Sequence, residues 1–176
     1  MRYYANKICD LYPLAKGSSG KYTEMMNITS FETPEIEFGD GEISGAGVLG
    51  TVNVPDFSAI ENPEAKLTGK TYSDLAPAFN PLGCDLKLNW AIDNIGADST
   101  KTYTSYTAYI KGSPKNIPGG EKKKGEGQEL EQTLSVTYYK LVENGKTITE
   151  YNPLANVLII NGVDVVKDIN RASSRI

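Results

Sequence analysis

Apolar and polar positions alternate through residues 128–142. Leu130, Gln132, Leu134, Val136 and Tyr138 hold the even places, and Glu129, Glu131, Thr133, Ser135, Thr137 and Tyr139 hold the odd ones. A two-residue period belongs to a strand with one buried and one wetted face. Leu130, Leu134, Val136 and Tyr138 are therefore expected on the core side. Glu129, Glu131, Thr133, Ser135 and Thr137 are expected on the wetted wall. Glu143-Asn144-Gly145-Lys146 follows, and Asn-Gly signals a hairpin because a type I′ turn needs positive φ at both central residues. Residues 147–151 then return antiparallel, Asn152-Pro153 breaks the ladder, and 157–164 make a second strand–turn signal.

The same period recurs upstream. Cys84, Leu86, Leu88 and Trp90 alternate with Asp85, Lys87 and Asn89 in a half-buried strand. After a turn over 94–99, residues 100–110 are almost pure β composition, with Tyr106, Ala108 and Ile110 on one side. Ile36 and Phe38, a Gly39-Asp40-Gly41 turn and Ile43 predict a long hairpin, extended at its tip by the glycine-rich run 45–50. Residues 6–30 read as short strands around the Gly/Ser turn 16–21. That turn is too short for a phosphate-binding loop, and Tyr22 follows its lysine. Thr71-Tyr72-Ser73-Asp74 is a helix-start signal, with Leu75 and Phe79 as the apolar pair; Pro77 and Pro81 limit the helix to one or two turns. Residues 111–125 read as a loop. The whole predicts a mainly-β domain, a twisted sandwich or half-barrel of about eight strands with one short helix.

Several of these residues also carry a resemblance. Tyr138-Tyr139-Lys140-Leu141, Asn144-Gly145-Lys146, Glu150 and Tyr151, and Ile160-Asn161-Gly162-Val163-Asp164 follow one another in a characteristic order and spacing. They resemble the C-terminal signature of the major tail tube proteins of contractile-tailed bacteriophages and phage-tail-like bacteriocins. Lys124-Gly125-Glu126 and Gly45-Ala46-Gly47 match that family's turns as well, while 58–82 matches it poorly. The resemblance implies one tail-tube domain over 1–176, with a projecting loop near 32–54 and a C-terminal arm near 157–176. It implies six-membered rings that stack into a hollow tube, with the inner strands of each subunit joining a ring-wide β-barrel. Its implied partners are further copies of the chain, the tail sheath, baseplate and tail terminator proteins, and DNA passing transiently through the lumen if the particle is a phage. The implied location is the virion tail, or a bacteriocin particle, assembled in the bacterial host cytoplasm. No cofactor is implied.

Charge sharpens this picture. The net charge is −4, and residues 22–65 hold nine acids and no Lys or Arg. Residues 111–125 hold five lysines against Glu121. An acidic segment and a basic one on a single domain suit copies meeting head to tail, the geometry that builds rings and filaments. The candidate subunit contacts are therefore Glu35, Glu37, Asp40, Glu42, Gly45 and Gly47 on one side, and Lys115, Lys122, Lys123 and Lys124 on the other. The five residues of the wetted wall, 129–137, become the candidate channel lining: hydroxyls give weak contacts, and Glu129 and Glu131 repel phosphate.

Absences narrow the chemistry. The chain has no histidine, hence no His-based triad and no imidazole metal site. Carboxylate pairs such as Glu35/Glu37 or Glu129/Glu131 sit at i, i+2, where a strand places both on one solvated face. An enzyme is not expected. Cys9 and Cys84 lack metal or disulfide-scaffold spacing and read as reduced, partly buried thiols. No apolar run is long enough to span a membrane, and the N-terminus lacks a signal-peptide core. Eleven tyrosines leave one alternative from another class: a small β-sandwich module that binds a cell-surface carbohydrate.

Overall fold

Long alternating segments become long strands. The structure, a computed structural model, describes residues 2–174. Its strands are β1 Tyr3–Lys16, β2 Tyr22–Glu24, β3 Ile28–Glu32, β4 Phe38–Ile43, β5 Val52–Ile60, β6 Glu64–Gly69, β7 Cys84–Gly96, β8 Lys101–Pro114, β9 Leu130–Glu143, β10 Lys146–Asn152, β11 Val157–Ile160 and β12 Val163–Asp164. Two short helices, α1 Tyr72–Leu75 and α2 Lys167–Ala172, and a 3-10 turn at Pro153–Ala155 complete it. The mainly-β class holds. The twelve strands exceed the expected eight partly because β2, β11 and β12 are only two to four residues long.

Ten strands make one antiparallel sheet in the order β12-β11-β10-β9-β8-β7-β1-β2, forked at β9. β6 pairs with the first half of β9, from Gly69↔Leu130 to Glu64↔Ser135, and β3 pairs with β6. β10 takes the second half, from Tyr151↔Tyr139 to Lys146↔Glu143. The branch folds back over the main sheet: Phe31 of β3 meets Trp90 of β7 edge-on at 5.7 Å, and Trp90 stacks on Tyr106 at 5.1 Å. Between the two layers lie Ala65, Leu67, Leu86, Leu88, Ala108, Ile110, Leu130, Leu134 and Val136, all essentially buried. This is a half-barrel, with Leu75 of α1 and Ala78 closing it. Each fully buried leucine contributes roughly 1.5–3 kcal/mol. Thr71 caps α1 by accepting the Asp74 N–H at 3.3 Å, as the Thr-x-x-Asp signal predicts.

Turns hold their predicted places where Asn-Gly specifies them. Asn144 and Gly145 have φ of 45° and 80°, and Asn161 and Gly162 have 49° and 82°. Both pairs close two-residue hairpins, Glu143↔Lys146 and Ile160↔Val163. Other expectations shift. Gly39-Asp40-Gly41 is strand, not turn: β4 runs straight through it, and a Cβ on Gly39 would lie 2.9 Å from that of Ala59. Glycine there serves close packing, and the hairpin tip falls at 44–51. β7 runs on to Gly96, so the turn begins later than expected, closed by Gly96 N–H donating to the Thr100 carbonyl at 2.8 Å. β8 continues through Pro114, so the lysine loop begins at Lys115.

One correction matters most. The alternation on β9 breaks at Thr137, because Lys111 pairs with Tyr138 while Gly112 pairs with Val136. Thr137 is the extra residue of a β-bulge, its hydroxyl donating to the Lys111 carbonyl at 3.2 Å. Beyond it the faces exchange. Tyr139 is buried, and Tyr138, expected in the core, turns to the opposite face.

Candidate assembly surfaces

β1 pairs with β7 along one edge from Tyr3 to Ala15, while its other edge pairs only over Leu14–Lys16, with β2. Among the described residues no strand lies along that other edge from Tyr4 to Tyr12. The first half of β1 forms a three-stranded arm with the ends of β7 and β8, on which Tyr4, Ile8, Ile95 and Tyr103 are exposed. Cys9 is exposed here too, contrary to expectation, while Cys84 is buried and its thiol is pushed up to about 11 by that burial. Asp93 clasps the arm. Its carboxylate accepts the Lys7 N–H at 3.0 Å and the Asn6 amide at 3.2 Å. The Lys7 hydrogen bond, above all, holds this carboxyl below the usual aspartate range.

Among the described residues, β4 and β5 pair only with each other. Residues 42–55 are exposed throughout, including Ile43, Val48, Leu49, Val52 and Val54, and the base is anchored by Phe38 and Ile60 on the core. Asp40 and Glu42 stand on β4, and Gly45 and Gly47 lie in the tip with φ of 147° and 94°. Glu35 and Glu37 are exposed on the approach to β4. Of the lysines, Lys115 pairs with Glu64 of its own chain and Lys123 with Glu121 at 3.3 Å. The Lys122 ammonium donates to the Gly120 carbonyl, and Lys124 is exposed.

Four of the five candidate channel residues lie at or beside the stretch where β9 meets β6, and Thr137 lies beyond it at the bulge. Glu129 precedes the strand, Glu131 is exposed, and Thr133 and Ser135 are half-buried. Asn116 tethers this edge through its side chain, accepting the Thr133 N–H at 2.8 Å and donating to the Glu131 carbonyl at 3.0 Å. The Ser135 hydroxyl exchanges hydrogen bonds with Asn62.

Past the bulge, the same face changes character. Tyr138 and Lys140 join Lys111 and Tyr109 of β8, Asp85 of β7, Lys16 of β1 and Tyr22 of β2 around a recess of about 500 Å³. Asp85 is shared by Lys16 at 3.7 Å and Lys111 at 3.8 Å, and Glu150 takes Lys140 at 3.2 Å. Tyr22 donates to Asp85 at 2.8 Å and Tyr138 to Glu150 at 3.1 Å. Partial burial, then the Glu150 hydrogen bond, push the Tyr138 phenol up to about 12, so it remains a donor. Lys87 lies over the Tyr109 ring and Lys111 over that of Tyr138, each at 5.6 Å.

The family model described as "Phage tail tube protein FII" matches residues 20–173. The chain belongs to the phage tail tube family. A tail tube protein of Escherichia phage P2 is 30% identical over 74 residues, a stretch covering 42% of this chain and 43% of that relative. Membership makes the chain a structural tail protein, as the C-terminal residues indicate. Among the described residues of this tail tube protein, no group of three or more His, Cys, Asp or Glu could hold a metal ion. No described helix is long and apolar enough to cross a membrane.

Sequence reasoning missed two surfaces of the tail tube chain. The open edge of β1 gave no signal, because edge position depends on the strand order. The lysine–tyrosine recess had a partial one: Asp85/Lys87, Tyr109/Lys111 and Tyr138/Lys140 are alternate residues on consecutive antiparallel strands. Assembling them required the bulge at Thr137, which alternation alone does not reveal.

Proposed function

We propose that copies of this chain close into six-membered rings, and that the rings stack into the inner tube of a contractile tail. The open edge of β1 carries this reading. A strand edge with exposed apolar side chains is an aggregation hazard on a monomer and a joint in a closed assembly. Pairing that edge with a neighbour continues the sheet from copy to copy into one ring-wide barrel. The apolar tip of β4–β5 suits a second joint, seated on an adjacent subunit with Asp40, Glu42, Glu35 and Glu37 beside it. Lys122 and Lys124 complement those carboxylates better than Lys115 and Lys123, which have acids within their own chain.

In such a ring the core face of the sheet points outward, with α1, and the opposite face lines the bore. Glu129, Glu131, Thr133, Ser135 and Thr137 then belong to the wall. The fourteen residues of β9 reach roughly 45 Å, enough to line the height of a ring. The tube works by assembly alone: sheath around it, baseplate and terminator proteins at its ends, and DNA passing through in a phage. In a tail-like bacteriocin it is a puncturing rod.

Negative-stain imaging and sedimentation of the purified protein test this. The parent should form rings or tubes, and a variant lacking residues 1–7 should remain folded but lose them. A parent that stays monomeric at every concentration, or a truncated chain that still builds tubes, overturns the β1 joint.

A further inference from the structure

We propose that the recess between Lys111 and Lys140 binds the phosphate backbone of DNA. The recess is lined by three ammonium groups, Lys16, Lys111 and Lys140, against Asp85 within it and Glu150, which holds Lys140, and Lys87 stands beside it over the Tyr109 ring. One positive charge is therefore left over in the recess and Lys87 adds a second beside it, on a chain whose net charge is −4. Asp85 is divided between two lysines at 3.7 and 3.8 Å and also accepts the Tyr22 hydroxyl, so neither ammonium is saturated. An ammonium has three donors, and each ion pair here uses no more than one of them. The tyrosine rings under Lys87 and Lys111 hold those side chains up from the sheet without neutralising them. An open, shallow, aromatic-floored site with surplus lysine charge suits a rod-like polyanion that needs no deep pocket.

The chain's own acids are a poorer occupant. Glu35 and Glu37 line a different hollow, with Glu61, Asn62 and Glu64, and Asp40 stands on β4 in the separate β4–β5 hairpin. The meaning of the site rests on the tube reading, since the face that carries the recess is the proposed bore. The binding itself belongs to the subunit and can be measured without a tube.

The experiment is fluorescence anisotropy with a short labelled DNA duplex and the purified protein. It compares the parent, Lys111→Gln with Lys140→Gln, and a loop control, Lys70→Gln, at an exposed lysine between β6 and α1. Thermal unfolding verifies that each is folded. Two phosphate contacts give a log–log salt slope of about −2, so raising salt from roughly 50 to 200 mM should weaken parent binding about tenfold. The recess variant should lose most of its low-salt binding, and the loop control should keep it. Lys16→Gln alone gives a smaller loss and serves as the second probe. A parent that does not bind, equal binding by the recess variant, or loss only in the loop control overturns the proposal. So does a recess variant whose self-association changes while its DNA binding does not, which would make the recess a joint between copies. Tubes without DNA affinity sink this inference and leave the assembly reading standing. DNA binding by a subunit that never forms tubes supports this inference and sinks the assembly reading.

Discussion

Replacing Gly112 by alanine tests the packing that bends β9. A Cβ placed on Gly112 falls 2.2 Å from the Ser135 carbonyl oxygen and 3.3 Å from the Val136 Cα. Ordinary contact begins at 3.4 Å, so the strands must separate by about an ångström, and the obstruction is main chain, not a flexible side-chain end. Overpacking a filled interior destabilises by about 1–3 kcal/mol, occasionally more when backbone must move. We expect about 3 kcal/mol here. For a chain of this size each kcal/mol shifts Tm by about 2–4 °C, so the variant should melt roughly 6–12 °C lower. Gly127→Ala is the control, since nothing lies within 4 Å of its added Cβ; it should stay within about 0.5 kcal/mol of the parent. Trp90 is the sole tryptophan and stacks on Tyr106 of β8, so its fluorescence reports unfolding in urea and heat. A Gly112→Ala protein that unfolds with the parent would mean that β8 and β9 do not approach this closely. The bulge at Thr137, and the face it assigns to Tyr138 and Lys140, would fall with it.

Gly145→Val forces a β-branched residue to φ of 80° and should destabilise by about 1–3 kcal/mol, read as a lower urea midpoint; an unchanged midpoint places the turn elsewhere. Asp93→Asn should lower Tm at neutral pH. The native carboxyl titrates below its unfolded value of about 3.9, so its stabilisation is full above that value and fades as pH falls through the folded pKa. The gap between parent and variant should therefore close in acid, and a pH-independent gap rules out the carboxylate charge as its cause. The tip at 44–51 and the loop at 115–127 should be cut first by protease in the free subunit and be protected in tubes; equal cleavage removes both from the joints. Glu129→Lys with Glu131→Lys should fold, assemble, and give tubes that hold polyanion more strongly than the parent's; unchanged retention places those glutamates outside the bore.

What the sequence disclosed depended on how local each cause was. Asn144-Gly145 and Asn161-Gly162 fix their turns by their own backbone preferences, and Thr71 with Asp74 fixes a helix start within four residues. These are legible because no distant residue is consulted. Gly39-Asp40-Gly41 misleads for the opposite reason. Glycine there answers to Ala59 across the hairpin, and composition cannot separate that from a turn. Tyr138 and Tyr139 are the sharpest case. Which of them is buried depends on a one-residue offset against β8, and Gly112 on the partner strand permits that offset. Likewise the candidate contact lysines were visible as a run, but Lys115 had an acid waiting 51 positions earlier in the chain, at Glu64.

The bulge also decides the character of the proposed channel wall. Strict alternation from Glu131 would carry Thr133, Ser135 and Thr137 along one face and send Lys140 into the core. The extra residue at Thr137 reverses the parity, so Glu131 and Lys140 share a face. They stand nine positions apart, about 30 Å along a strand. That distance exceeds the Debye length of about 8–10 Å near physiological salt, so each end acts on a polyanion independently. Identical copies in a ring would repeat the arrangement at the same height, with a repelling acidic rim at one level and a holding basic rim at another. A bore built this way has a direction, which a uniform hydroxyl wall does not. Restoring plain alternation in β9 would turn the Lys140 side chain to the core side of the sheet, where a buried charge without a partner is strongly destabilising. The strand would then have to slip or fray before it could pair.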